Sequence, residues 1–184
     1  MIIEYEIKIL NIDYNEWLKK LNNVNAHLEN KKLQKITIFH GLNNNDREYI
    51  RVRDEGNKIT LTYKRTYKDS AKADEIEITV SSYERTIELL ESIGLKKKRT
   101  EEKERISYSI NKSRIDIDTW PDIPTYVEIE SDSEEELFSI CKILCIDYNK
   151  SFKGDAHDVF RYYGIDPNMH KNMIFNKNSL NKLK

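Results

Sequence analysis

The sequence predicts one antiparallel α+β domain, and three observations carry that prediction. Several stretches alternate apolar and polar residues with a period of two, the pattern of strands with one buried face. These stretches arrive in runs, and three segments with apolar residues spaced by three and four interrupt them. The order strand, helix, strands, helix, strands, helix is not the regular alternation of a doubly wound parallel sheet. A length of 184 residues fits one such domain with a tail.

The first strand begins at once, with Ile3, Tyr5, Ile7 and Ile9 on one side and Glu4, Glu6 and Lys8 on the other. Asp13 is placed to cap a helix whose apolar stripe is Trp17, Leu18, Leu21, Val24 and Leu28. The β-branched run Ile36, Thr37, Ile38 predicts a strand over residues 34–39, and a loop with three consecutive asparagines follows over 41–46. Strands over 49–53 and 58–65 flank Asp54-Glu55-Gly56-Asn57, which reads as a hairpin turn. After a further strand over 75–80, Ser81 starts a helix with the stripe Tyr83, Ile87, Leu90, Ile93, ended by Gly94. The second half repeats the plan. A short strand is expected over 97–100, a hairpin of 103–110 with 114–118 about Asn111-Lys112, and a last strand over 126–130. Asp132 or Ser133 caps the third helix, whose first turn holds Glu134, Glu135 and Glu136, where the helix dipole favours acids. From Pro167 the chain is rich in Asn and Lys and poor in apolar residues, so it is expected to fray; the domain is read as 1–166 and the tail as 167–184.

Composition removes several classes of function. With 31 Lys+Arg against 32 Asp+Glu the net charge is −1, so no basic field attracts nucleic acid or an anionic membrane. No apolar run approaches the ~18 to 20 residues of a membrane span. Glu4, Glu6 and Lys8 stand where a signal peptide would be apolar, and a cytoplasmic protein is expected. Cys141 and Cys145, four apart in an apolar helical stretch, read as buried reduced thiols. His27, His40, His157 and His170 show no ligand spacing, and the chain has no Gly-rich phosphate loop.

The polar faces of the strands carry the functional signal. Glu4 and Glu6, Arg51 and Arg53, Glu75 and Glu77, Asp116 and Asp118, and Glu128 and Glu130 are each two residues apart, so each pair leaves one side of its strand. Their alternating partners, such as Ile50 and Val52 or Ile76 and Ile78, are apolar and are expected to lie under the helices. A solvated face normally mixes signs, because like charges side by side repel. Here some faces are wholly acidic and others basic, with Lys64, Arg99 and Arg105 adding to the basic set. If the sheet curls so that these faces meet, they line a channel suited to a polyphosphate with divalent cations: carboxylates bind Mg²⁺ or Mn²⁺, and Arg and Lys bind phosphoryl oxygens.

Several stretches resemble the CYTH family, the triphosphate tunnel metalloenzymes, which includes class IV adenylyl cyclases, thiamine triphosphatases and inorganic triphosphatases. Glu4-Tyr5-Glu6-Ile7-Lys8 is similar to its Glu-x-Glu-x-Lys opening, Tyr49-Ile50-Arg51-Val52-Arg53 to its Arg-x-Arg strand, and Leu61-Thr62-Tyr63-Lys64 to its Thr-Tyr-Lys strand. Asp74-Glu75-Ile76-Glu77, the stretch 102–108 with Arg105, Asp116-Ile117-Asp118-Thr119-Trp120-Pro121 and Tyr126-Val127-Glu128-Ile129-Glu130 resemble the later strands in order and spacing, over roughly residues 1–165. The stretch from Trp120 to Glu130 and the late Tyr163-Gly164-Ile165-Asp166 are most like bacterial members labelled class IV adenylyl cyclase. The chain departs from the family over residues 35–40, where an aspartate and a tyrosine often follow the glutamine.

The resemblance implies a closed barrel of eight antiparallel strands with a tunnel along its axis and helices outside. By position it implies metal binding by Glu4, Glu6, Asp116, Glu128 and Glu130, and phosphate binding by Lys8, Arg51, Arg53, Lys64, Lys97, Arg99 and Arg105. The resemblance also implies that Glu75 and Glu77 bind metal or orient the basic residues, and Asp118 shares the face of Asp116 but lies nearer the strand end. Catalysis is expected from Glu4, Glu6, Lys8, Lys64 and Glu130 with Mg²⁺ or Mn²⁺. The implied substrate is tripolyphosphate, ATP or thiamine triphosphate, cleaved at a phosphoanhydride bond by a monomer or homodimer. An adenylyl cyclase making cyclic AMP and pyrophosphate, and a non-catalytic polyphosphate or nucleotide binder, are the alternatives.

Overall fold

The computed structural model describes residues 2–41, 47–68 and 71–176. Its eight principal strands are β1 (Ile2–Ile9), β2 (His27–His40), β3 (Glu48–Asp54), β4 (Ile59–Thr66), β5 (Lys72–Val80), β6 (Lys97–Ile110), β7 (Ser113–Thr119) and β8 (Tyr126–Ser131). They are joined in the order β2-β3-β4-β5-β1-β8-β7-β6, and β6 pairs back to β2. The antiparallel sheet therefore closes on itself as an eight-stranded barrel, as the resemblance implied. Four helices accompany it: α1 (Tyr14–Asn23), α2 (Tyr83–Ser92), α3 (Glu134–Ile143) and α4 (Ala156–Tyr162). Among the described residues no helix is long and apolar enough to cross a membrane.

Local chemistry sets the helix starts. Asp13 Oδ1 accepts the Glu16 N–H at 2.8 Å, Ser133 Oγ accepts that of Glu136, and Asp155 and Asp158 form a reciprocal capping box at α4. The α2 cap is Ser82, one residue later than expected. Helix α1 also stops earlier than its stripe predicted. Val24 is its C-cap, Asn25 adopts φ +52, and Leu28 lies exposed in β2. An asparagine tolerates that left-handed turn, which frees the following residues for the strand.

Three apolar clusters pin the helices to the barrel. Trp17 and Leu21 of α1, with Leu137, Ile140 and Cys141 of α3, pack on Ile7, Ile106, Ile115, Ile117, Val127 and Ile129 of β1, β6, β7 and β8. Tyr83 and Leu90 of α2 pack on Phe39 and Val52. Val159 and Phe160 of α4 pack on Ile36, Ile38, Trp120 and Tyr126. Each fully buried aliphatic side chain here contributes about 1.5–3 kcal/mol, so Leu137→Ala is expected to cost about 2–5 kcal/mol. Among the described residues no helix covers this face of β5: Ile76 and Ile78 are 51% and 54% exposed, against the expectation that their face lies under a helix.

Three further expectations change. The strands expected over 97–100 and 103–110 are one 14-residue strand, β6. Cys141 is buried, but Cys145 is exposed, because it sits at φ +52 just past the α3 C-cap Leu144. Within the described residues from Pro167 onward, a 3₁₀ turn (Pro167–Met169) leads to β9 (Asn172–Met173), which pairs parallel with β6 at Thr100 and Glu101, and Met173 and Phe175 are buried. These two apolar residues anchor a segment whose average composition hid them. Most of the loop expected at 41–46 lies outside the described residues.

Candidate active site

Closure of the barrel turns the like-charged strand faces towards one another. Glu4, Glu6 and Lys8 of β1, Arg51 and Arg53 of β3, Lys64 of β4, Glu75 and Glu77 of β5, Arg105 of β6, and Glu128 and Glu130 of β8 all line one internal cavity of about 260 Å³. Eleven of the expected site residues thus meet in the lumen. Strand alternation explains it, since the pleat sends every second side chain inward.

The remaining four are placed differently. Asp118 is fully buried behind Arg105, accepting from its Nε and Nη2 at 2.6 Å each, and also accepts from Lys103 Nζ at 2.8 Å. Asp116 pairs with Arg105 at 2.5 Å and with Arg114 at 3.1 Å, while its Oδ1 is buried without a hydrogen-bond partner. Neither aspartate reaches the cavity wall. Arg99 is buried and committed to Glu101, His157 and the Pro167 carbonyl, and so is a structural clamp between β6, α4 and the C-terminal segment. Lys97 is exposed on the outside. The β2–β6 register slips between Ile38↔Arg99 and Phe39↔Lys97, and this bulge at Lys98 reverses the alternation, so that Lys97 faces out with Phe39 beside α2.

Glu6, Glu128 and Glu130 offer carboxylate oxygens that lie within 4.8 Å of one another. Among the described residues Glu4 and Asp116 fall outside this cluster. Lys8 Nζ stands 3.1 Å from Glu6 and 3.2 Å from Glu128, and donates to the Gly154 carbonyl at 2.8 Å. Burial opposes ionisation of Glu6 and Glu128, but the surrounding cations outweigh it, and both carboxyls sit below the usual range. Glu130 goes the other way. Burial, reinforced by Glu4 and Glu128, pushes its carboxyl up to about 7 against the pull of Arg114. Three carboxylate groups with oxygens this close are hard donors of the kind that suit a divalent cation.

The cations face this cluster. Lys64 Nζ lies 3.3 Å from Glu4, 3.2 Å from Glu6 and 3.4 Å from Glu75. Arg53 Nη2 donates to Glu77 at 3.1 Å, and Arg105 Nη2 donates to Glu128 at 3.0 Å. Burial and the neighbouring Arg51 lower the Arg53 guanidinium to about 10. Burial and Arg105 lower the Lys103 ammonium to about 8.

Sequence reasoning missed several wall residues. Lys103, Arg114 and Tyr49 share strand parity with Arg105, Asp116 and Arg51, so alternation alone would have found them. His157 and Ala156 enter from α4, whose docking over the barrel end is a tertiary event without a local signal.

A family model for the CYTH domain matches residues 2–163. A search of curated proteins finds no match. Among solved structures, a conserved hypothetical protein from Pyrococcus furiosus superposes with a TM-score of 0.70 at 25% identity, covering 83% of this chain and 97% of the other. The PH1012 protein from Pyrococcus horikoshii gives 0.70 at 20% identity over 80% and 93%. A candidate adenylyl cyclase from Hippeastrum, for which a dominant triphosphatase activity is described, gives 0.56 at 15% identity over 90% and 97%.

Proposed function

The chain belongs to the CYTH domain family, and on that premise we propose that it is a divalent-metal-dependent hydrolase of the terminal phosphoanhydride bond in a triphosphate. The observation that supports this most is the shared cavity: a carboxylate cluster and a set of buried cations, of opposite charge, converge on one space of about 260 Å³. A triphosphate with its metal neutralises both sets together, whereas a simple anion or cation satisfies only one.

Glu6, Glu128 and Glu130 hold the metal, and Glu4 stands beside them next to Lys64. Bound there, Mg²⁺ or Mn²⁺ supplies positive charge to phosphoryl oxygens and lowers the pKa of a bound water. Arg51, Arg53, Lys64 and Arg105 grip the phosphate chain and hold the scissile bond in line. Lys8 keeps Glu6 and Glu128 ionised and in place from 3.1 and 3.2 Å. Lys103, which lines the cavity and donates to Asp118 at 2.8 Å, adds a further cation to that wall. Asp116 and Asp118 act from behind the wall by orienting Arg105.

The test is orthophosphate release from tripolyphosphate, ATP and thiamine triphosphate with Mg²⁺ or Mn²⁺ and with a chelator. Turnover that appears only with metal supports the proposal. Binding without turnover under every metal condition would make the protein a non-catalytic binder.

A further inference from the structure

The turn between β3 and β4 carries a carboxylate that the proposed reaction does not use. Gly56 adopts φ +83 and donates its N–H to Asp54 Oδ1 at 2.7 Å, while the Glu55 N–H donates to the Lys58 carbonyl at 2.9 Å. This tight turn folds Glu55 back towards β2 instead of out into solvent. There Glu55 Oε2 accepts from Lys32 Nζ at 3.1 Å, and Oε1 accepts from Gln34 Nε2 at 3.0 Å and lies 3.0 Å from Arg53 Nε. One carboxylate thus sits in a three-sided cradle of two cations and an amide.

The cradle meets the cavity through Arg53, with Lys32, Gln34 and Glu55 set beyond the cavity lining, and it is anchored inside the protein. Arg53 lines the lumen, where its Nη2 also holds Glu77 at 3.1 Å. Gln34 is 2% exposed, and its Oε1 is buried without a hydrogen-bond partner. The cradle is more open to solvent than the α4 end of the lumen: the Lys32 and Glu55 side chains are 20% and 14% exposed, against 1% for Lys8. The Arg53 Nε is buried without a hydrogen-bond partner although it lies 3.0 Å from Glu55, and a guanidinium, an ammonium and an amide placed around one carboxylate suit a phosphoryl group too, since both present several acceptor oxygens and negative charge.

We propose that Lys32, Gln34 and Arg53 form an outer anion subsite for a phosphoryl group of the substrate, and that Glu55 is its tethered internal competitor. A carboxylate on a short turn acts at a high effective concentration, and a substrate must displace it to use the subsite. Arg53 keeps its Glu77 contact through the exchange, so only Glu55 and its turn move. The inference rests on the reading of the lumen as a triphosphate site and adds a determinant of affinity to it. A purely orienting Glu55 has the opposite signature, because its removal would disorder Arg53 and weaken binding.

The experiment compares wild type, Glu55→Gln, Glu55→Ala and Lys32→Ala, with calorimetric titration of tripolyphosphate in chelator and in Mg²⁺, and the melting temperature of each protein alone. Removing the competitor is expected to tighten tripolyphosphate binding by roughly three- to tenfold while lowering the melting temperature of the unliganded protein, because the ion pairs with Lys32 and Arg53 are lost. Lys32→Ala is expected to weaken binding. Unchanged or weaker binding in both Glu55 variants, or an unchanged Kd in Lys32→Ala, overturns the subsite while leaving the lumen assignment standing. A wild-type protein that binds no tripolyphosphate in either condition overturns both.

Discussion

Lys64 Nζ lies 3.2 Å from Glu6 Oε2, although β4 and β1 are not neighbours: β5 runs between them. The pair therefore forms over β5, within the barrel interior. The barrel neutralises itself through such pairs, and a ligand has to exchange them. On the proposed function, cations freed from carboxylates would take phosphoryl oxygens and carboxylates freed from cations would take metal, so that each half of the ligand would make room for the other. Tripolyphosphate and Mg²⁺ together are therefore expected to raise the melting temperature by more than the sum of their separate effects. At about 100 times Kd the joint shift should be roughly 5–10 °C for a protein of this size. Scanning fluorimetry with each component alone and combined checks this, and purely additive shifts would contradict it.

The carboxylates are not equivalent. Glu130 and Glu128 belong to the cluster within 4.8 Å, whereas Glu4 stands outside it against Lys64. Glu128→Gln and Glu130→Gln keep volume and remove charge, and each should lower metal-dependent turnover by about two orders of magnitude or more. Glu4→Gln should cost roughly tenfold. Steady-state rates across a Mg²⁺ titration, with circular dichroism to verify folding, measure the ranking. Equal losses in all three variants would argue against the three-carboxylate assignment.

Lys97→Ala should leave turnover within about twofold of wild type, because the bulge at Lys98 sends this side chain to the outer surface. A loss of tenfold or more in kcat/KM for tripolyphosphate would show that Lys97 reaches the substrate after all.

Glu101 links stability to pH. It is buried, which opposes its ionisation, but His157 and Arg99 beside it hold its carboxyl down at about 2, compared with an ordinary 4.5. A folded pKa below the unfolded one means that the stabilisation is fully present above about 4.5 and drains away as pH falls towards 2. Glu101→Gln should thus cost on the order of 2–3 kcal/mol at neutral pH, with the gap to wild type narrowing below about pH 4. Denaturant titrations between pH 2.5 and 7 read it directly, and a gap independent of pH would contradict the clamp.

Much of this architecture was legible because two periodicities survive in the residues. The alternation of Glu4, Glu6 and Lys8 with Ile7 and Ile9, or of Glu128 and Glu130 with Val127 and Ile129, fixes which side chains enter the lumen. Position in a pattern could not convey register. Lys97 and Arg99 share parity in sequence and are separated in space by one bulge. Nor could it convey burial that depends on distant partners. Arg99 resembles a phosphate ligand until α4 brings His157 to it, and Met173 and Phe175 resemble a loose tail until β9 meets β6. The Glu55 contacts were hidden for the same reason, since a turn residue gives no hint that it folds back on Lys32 and Gln34.

With ATP as sole substrate, ADP and orthophosphate should exceed cyclic AMP and pyrophosphate by at least about tenfold. Cyclisation needs the ribose 3′ hydroxyl in line with the α-phosphorus, and that demands fixed contacts to base and sugar which a terminal hydrolysis can omit. The β2 wall, where the chain departs from its family, presents Ile36 and Ile38 to the cavity, and the neighbouring Gln34 amide is engaged by Glu55. A cavity of about 260 Å³ stands at the small end of the ~300–1,000 Å³ typical of sites that enclose a drug-sized ligand, which favours a triphosphate over a whole nucleotide as its occupant. Separation of the four products by ion-exchange chromatography, with Mg²⁺ and then with Mn²⁺, decides between the reactions. Cyclic AMP with equimolar pyrophosphate as the main products would replace the hydrolase with the cyclase, and would turn attention to the rings of Tyr49, Trp120 and His157 on the cavity wall as base-binding groups.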